Sequence, residues 1–230
     1  VSFTRAFTEG VASTICLPFG FTPDATEQGV FYKFNGVDGS WQVHMTTTVT
    51  EIEANKPYMF TPAKTGDITF TGTITNVATS YTPTADTQTI DWSFEGTYEF
   101  ILWDDESDFT GSTAIYAFVA NPINDGSSMT PGEFRRLYAN GSTTQPFRAV
   151  MKYNGTLPAA RGVRSSATIP TTLKVVIDNA DGSTTEIGTI DTRTGEMTIN
   201  EWHTLDGRKL SAKPTKRGMY IKDGKTVVIK

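Results

Sequence analysis

The densest run of chemistry-bearing side chains is Trp103-Asp104-Asp105-Glu106-Ser107-Asp108. Carboxylates crowded into a loop suit Ca²⁺, a hard cation that takes six to eight oxygen ligands. Asp104, Asp105 and Asp108 are the residues that would supply them, and Ca²⁺ is the one cofactor the sequence brings to mind. The spacing is not that of an EF-hand. Phe109 stands where the loop glycine belongs, and Ile115 where the bidentate glutamate belongs. A solvated loop between two strands accounts for the same residues.

Aromatic side chains offer a second chemistry. Trp41, Tyr81, Trp103 and Tyr138 each stand beside a polar or turn-rich stretch. There an exposed ring can stack on the apolar face of a pyranose while Asp, Asn or Arg bonds its hydroxyls. The same rings serve equally well as filling for a β interior. Trp92 alternates with Ile90 and Phe94 and reads as core.

Catalytic constellations do not emerge. A glycosidase needs two acids roughly 5–9 Å apart in a cleft, and no local motif singles out such a pair among 25 Asp and Glu. His44 and His203 lack the spacing of a zinc site. The nucleophile elbow Gly-x-Ser-x-Gly is missing, as is a glycine-rich phosphate loop. The single cysteine, Cys16, lies in the apolar run Ile15-Cys16-Leu17-Pro18-Phe19 and reads as a buried, inert thiol. The expectation is a non-enzymatic protein.

The elements that would position these groups are strands. Of 230 residues, 39 are threonine, 20 glycine and 11 proline. β-Branched side chains suit a pleated surface, and Gly and Pro break it into short runs. Ile68-Thr69-Phe70-Thr71-Gly72-Thr73-Ile74-Thr75 alternates with period two, one face apolar and the other all threonine. Asx-Gly pairs such as Asn35-Gly36, Asp38-Gly39 and Asp223-Gly224 predict tight hairpin turns. No long stretch has helical period. The expectation is an all-β antiparallel sandwich, jelly-roll-like, with a small β tail. Residues 161–171 lack apolar periodicity and read as a linker, which divides a sandwich over 1–160 from a tail over 172–230. A formal charge of −5 argues against nucleic-acid binding through a basic surface. The sequence contains no apolar window long enough for a transmembrane segment. The chain opens on Val1 and reads as a trimmed product.

The last thirty residues carry a resemblance. Glu201-Trp202-His203-Thr204-Leu205-Asp206-Gly207-Arg208-Lys209-Leu210, then Lys213-Pro214-Thr215-Lys216-Arg217-Gly218-Met219-Tyr220-Ile221, then Gly224-Lys225-Thr226-Val227-Val228-Ile229-Lys230 resemble the C-terminal sorting tails of exported Bacteroidetes proteins read by type IX secretion. The shared features are an Asp-Gly-Arg turn, a Gly-x-Tyr step and a final apolar strand closed by lysine. Arg5-Ala6-Phe7, Thr14-Ile15-Cys16-Leu17-Pro18-Phe19, Ala54-Asn55-Lys56-Pro57-Tyr58-Met59-Phe60 and Pro146-Phe147-Arg148-Ala149 are similar to modules of large surface proteins from that group. The resemblance implies export to the cell envelope, outer surface or medium, with residues 202–230 meeting the secretion machinery. Tyr220, Val228 and Trp202 are expected to face inward in that tail. Three functions stay open: a surface module for display, adhesion or assembly with another surface protein as partner, a carbohydrate-binding module with a glycan as partner, and a hydrolase whose site no motif reveals.

Overall fold

The computed structural model describes residues 1–47, 49–74, 86–89, 91–109, 114–120, 131–139, 141–155, 169–179, 184–186, 189–190, 197–198, 202–204, 209–210, 217–222 and 225–229. The strands, in chain order, begin with β1 (Ser2–Phe7), β2 (Ser13–Cys16), β3 (Gly29–Val37), β4 (Gln42–Thr46), β5 (Pro57–Pro62), β6 (Gly66–Thr71) and β7 (Asp86–Thr89). Next come β8 (Trp92–Thr97), β9 (Ile101–Trp103), β10 (Ala114–Phe118), β11 (Glu133–Arg136), β12 (Ser142–Thr144), β13 (Arg148–Tyr153) and β14 (Thr172–Asp178). The last are β15 (Thr184–Glu186), β16 (Thr189–Ile190), β17 (Met197–Thr198), β18 (Trp202–Thr204), β19 (Lys209–Leu210), β20 (Gly218–Lys222) and β21 (Lys225–Ile229). Among the described residues the only helical turn is a 3₁₀ turn at Glu106–Phe109. None has a helix long and apolar enough to cross a membrane. The protein is all-β.

The chain forms two compact units, Val1–Glu186 and Ile187–Lys230. The first is built on one large sheet in the order β2-β5-β3-β4-β14-β11-β10-β13-β8-β7, with β15 added to β14. Every pair is antiparallel except β4 with β14, which run parallel. The sheet coils until its β2 edge meets β13, two strands in from the other edge. The Thr14 hydroxyl on β2 donates to the Ala149 carbonyl and accepts from the Ala149 amide on β13, at 3.3 and 3.0 Å. The Cys16 amide donates to the Phe147 carbonyl. The result is a nearly closed barrel where two separate facing layers were expected. A barrel hides the sheet edges that a sandwich leaves exposed.

Two glycines in β3 make the coil possible. The first half of β3 pairs with β5 and the second half with β4, with the register slipping between Phe34 and Gly36. Gly36 has φ 120°, so Asn35-Gly36 is a bulge inside a strand rather than the expected hairpin turn. Gly29 has φ 132°, and a Cβ there would lie 2.1 Å from the Thr61 carbonyl oxygen. Only glycine lets β3 approach β5 so closely.

Packing follows from alternation on both faces. The β1–β6 ribbon lays Phe3, Phe7, Ile68 and Phe70 over Ile15, Phe31, Tyr58 and Phe60 of the sheet, a local two-layer core of interlocked rings. Inside the coil, Phe94 meets Phe34 and Phe134 at 6.0 Å. On the outer face the β9–β12 ribbon covers Ile115, Leu137 and Val150 with Trp103. Removing a ring such as Phe70, which is fully buried, costs about 3–5 kcal/mol in comparable cores.

The boundary near 161–171 falls elsewhere. Thr172–Asp178 is an interior strand between β4 and β11, not the start of a tail. Its apolar positions Leu173, Val175, Val176 and Ile177 are all buried. Within the expected linker, residues 161–168 lie outside the described residues. Its end is docked: Ile169 is buried, and the Pro170 and Thr171 carbonyls accept from the Tyr116 hydroxyl and the Arg136 amide. The second unit holds a four-stranded sheet, β19-β18-β20-β21, and the β16–β17 pair. Met219 and Val228 face each other across β20 and β21 and are 53% and 59% exposed. Val228 therefore points outward, against expectation, because directly paired residues on neighbouring strands share a face and Met219 is its partner. Tyr220 is half-buried, and the Trp202 side chain lies outside the described residues.

Candidate functional site

A cavity of about 240 Å³ opens where the β3–β4 loop meets the start of β8 and the end of β13. Its walls are Trp41, Trp92 and Tyr153, with Asp38 and Asp91 among the lining residues. Trp92 and Tyr153 are cross-strand partners on β8 and β13, with ring centroids 4.8 Å apart. Trp41 meets both nearly edge-on, at 6.1 Å and 75° to Trp92 and at 6.0 Å and 77° to Tyr153. The three rings form a corner, not a flat shelf. Trp92 and Tyr153 are 5% and 7% exposed and Trp41 is half-buried, so Trp41 is the ring that a ligand reaches most readily and the other two back it.

The loop that carries Trp41 is held from behind. The Asp38 carboxylate accepts from the Ser40 and Gln42 amides at 2.9 and 2.8 Å, and the Trp41 amide donates to the Asp38 carbonyl at 3.1 Å. This fixes Trp41 at φ 62°, a left-handed conformation unusual for a bulky residue. His44 on β4 joins the loop to the sheet. Its Nδ1 lies 2.8 Å from Asp178 Oδ1 on β14 and its Nε2 3.5 Å from Asp38 Oδ2. Asn35 Nδ2 donates to the other Asp178 oxygen at 2.9 Å.

Protonation follows from this geometry. Partial desolvation works against the His44 cation, but the hydrogen bond and charge of Asp178, then those of Asp38, outweigh it and raise the His44 pKa. Desolvation likewise works against the Asp38 carboxylate, and the Gln42 and Ser40 amides with His44 overcome it and lower the Asp38 pKa. Tyr153 is raised by desolvation and by the neighbouring Asp91 charge. The tyrosine stays a neutral donor at the cavity wall, while Asp38 stays an anionic acceptor.

The sequence candidates separate cleanly. Trp41 lines the cavity, and Trp92, read as core, is both 5% exposed and part of the cavity wall. Trp103 is 4% exposed, and its indole donates to the Thr144 hydroxyl at 2.8 Å, so it is a strut under the β9–β12 ribbon and no ligand platform. Tyr138 is 48% exposed, and the Arg136 guanidinium lies 5.3 Å from its ring centroid. Tyr81 lies outside the described residues. In the acidic loop, Asp105 accepts from the Ser107 amide at 2.7 Å, and Asp108 accepts from the Asp105 amide at 3.2 Å. These carboxylates cap a 3₁₀ turn, and the bonds from Ser107 lower the Asp105 pKa. Among the described residues no three His, Cys, Asp or Glu are grouped as metal ligands. The Ca²⁺ reading of Asp104, Asp105 and Asp108 therefore has no geometric support in this loop.

Cys16 is buried, and burial pushes its thiol up to about 12 despite a hydrogen bond with Tyr98. Asp91, Tyr153, His44 and Asp178 did not stand out in the sequence. The one available signal was Trp41 three residues after Asp38, on a loop that a turn-forming Asp could brace. Comparison with protein-family models, with curated proteins and with solved structures finds no match for this chain.

Proposed function

We propose that this protein is a non-enzymatic surface module that holds a saccharide in the Trp41–Trp92–Tyr153 corner. One observation carries the reading: the half-buried Trp41, backed by the buried rings of Trp92 and Tyr153, lines a cavity of about 240 Å³ together with Asp38 and Asp91. That suits a sugar, with an apolar ring for the pyranose C–H groups and the Asp91 carboxylate for its hydroxyls, while Asp38 braces the loop. Adhesion to a glycan-bearing surface is then the physical meaning of display. A second element supports export. The last strands, β20 and β21, form the hairpin that the sorting-tail resemblance requires, with Met219 and Val228 on an open face. In this reading residues 202–230 meet the secretion machinery of a cell-envelope protein, and Val1–Glu186 does the binding.

A glycan array probed with the purified chain tests the binding half. The reading expects a defined set of glycans retained by the protein and lost with Trp41→Ala. An array without signal, across neutral and acidic glycans, would remove it and leave a module that acts by display alone.

A further inference from the structure

Away from the aromatic corner, two half-buried arginines lie side by side. Arg5 projects from β1 and Arg148 from β13, and among the described residues neither makes an ion pair with a carboxylate. Both converge on one hydroxyl: Arg148 Nη1 donates to Ser13 Oγ, and Arg5 Nη2 reaches the same oxygen at 3.5 Å. Arg148 Nη1 also reaches the Thr14 carbonyl at 3.5 Å. Arg5 lies 4.2 Å from the Phe7 ring centroid, while its Nε and Nη1 are shut off from solvent without a hydrogen-bond partner among the described residues. Burial, then the Arg148 charge, lowers Arg5 to about 9, so it remains a cation at neutral pH. Two partly desolvated cations that meet at one neutral hydroxyl are costly unless something negative lies near.

Beside Arg148 the fold leaves a cavity of about 160 Å³. That is far above the ~10–15 Å³ that admits one water. Arg148, Ser13, Thr143, Thr144 and Gln145 give it a guanidinium, three hydroxyls and an amide, and no carboxylate is among its lining residues. A guanidinium fork backed by hydroxyl donors is matched to two oxygens of an anion.

We propose that this cavity binds a small oxyanion, a phosphate, sulfate or carboxylate group seated on Arg148. The second cation, Arg5, deepens the positive potential from behind and makes no contact of its own with the ligand. The site is independent of the aromatic corner and shares no residue with it.

Trp103 supplies a reporter, because its indole N–H bonds the Thr144 hydroxyl in the cavity wall. The experiment titrates inorganic phosphate, sulfate and acetate separately into the full chain, with sodium chloride holding ionic strength constant. It follows the indole resonance assigned by its loss in Trp103→Phe. At least one ion should shift that resonance saturably at millimolar concentration or below, and comparison of the three separates tetrahedral anions from carboxylates. Gln145 is exposed, so Gln145→Glu keeps the fold and sets a carboxylate beside Arg148; it should weaken binding at least tenfold. Arg148→Gln should do the same where it folds. No saturable shift with any of the three ions, or wild-type affinity in Gln145→Glu, overturns the proposal.

Discussion

Trp41 tests the local geometry and the proposed function together. Its ring makes two edge contacts, to Trp92 and Tyr153, each worth about 0.5–1.5 kcal/mol. Its backbone sits at φ 62°, which costs a residue with a Cβ about 1–2 kcal/mol relative to the right-handed region. Trp41→Ala loses both contacts and keeps the backbone strain, so it should destabilise the protein by about 2–3 kcal/mol. Trp41→Gly loses the same contacts but escapes the strain. Glycine's extra freedom in the unfolded chain takes back about 0.5–1 kcal/mol. The glycine variant should therefore be more stable than the alanine variant, by up to about 1.5 kcal/mol, the reverse of the usual order. Urea unfolding followed by Trp fluorescence, with linear extrapolation to water, resolves the difference. An alanine variant as stable as the glycine variant, or more so, would refute the left-handed loop and with it the placement of Trp41 on the cavity.

Four further outcomes follow from the same structure. His44 has a raised pKa in the folded protein. Its stabilising effect is complete below the ordinary value near 6.5 and is lost as pH climbs through the raised one. The melting temperature should fall from pH 6 to pH 8, and His44→Gln should flatten that slope. Cys16, buried with its thiol pushed up to about 12, should resist thiol reagents at pH 8 until the protein is unfolded. Cys16→Ala should cost about 1–2 kcal/mol in denaturant melts. Truncation should discriminate the domain boundary: a chain ending at Glu186 should melt cooperatively, whereas one ending at residue 160 should not fold, because it lacks the interior strand Thr172–Asp178. In a native host, removal of residues 187–230 should trap the folded first unit inside the cell, and its normal export would end the sorting reading.

The strand content was legible because alternation is local. Ile68 and Phe70 face the core and Thr69 faces out, as the pattern of β6 says. Closure was not legible, since it rests on Thr14 meeting Ala149 across the coil, 135 residues away in sequence. The bulge at Asn35-Gly36 was mistaken for a turn because the same dipeptide serves both, and only pairing on either side decides. The boundary failed for a related reason. Leu173-Lys174-Val175-Val176-Ile177 reads as a hairpin arm wherever it sits, and its parallel pairing with β4 leaves no local mark. Trp41 was legible as a residue, but its companions were not. Tyr153 and Asp91 reach it through strand registers that no spacing in the sequence records. Trp103 shows the converse: a ring next to an acidic loop looked exposed, and the β9–β12 ribbon buries it.

The most direct test of the central claim is calorimetric titration of the strongest array glycan into the wild-type chain and into Trp41→Ala and Asp91→Asn. The account predicts saturable, one-to-one binding by the wild type, at least a tenfold loss with Trp41→Ala, and a smaller loss with Asp91→Asn, which keeps an acceptor but not its charge. Equal affinity in all three proteins would contradict it, because the glycan would then be held somewhere other than the aromatic corner.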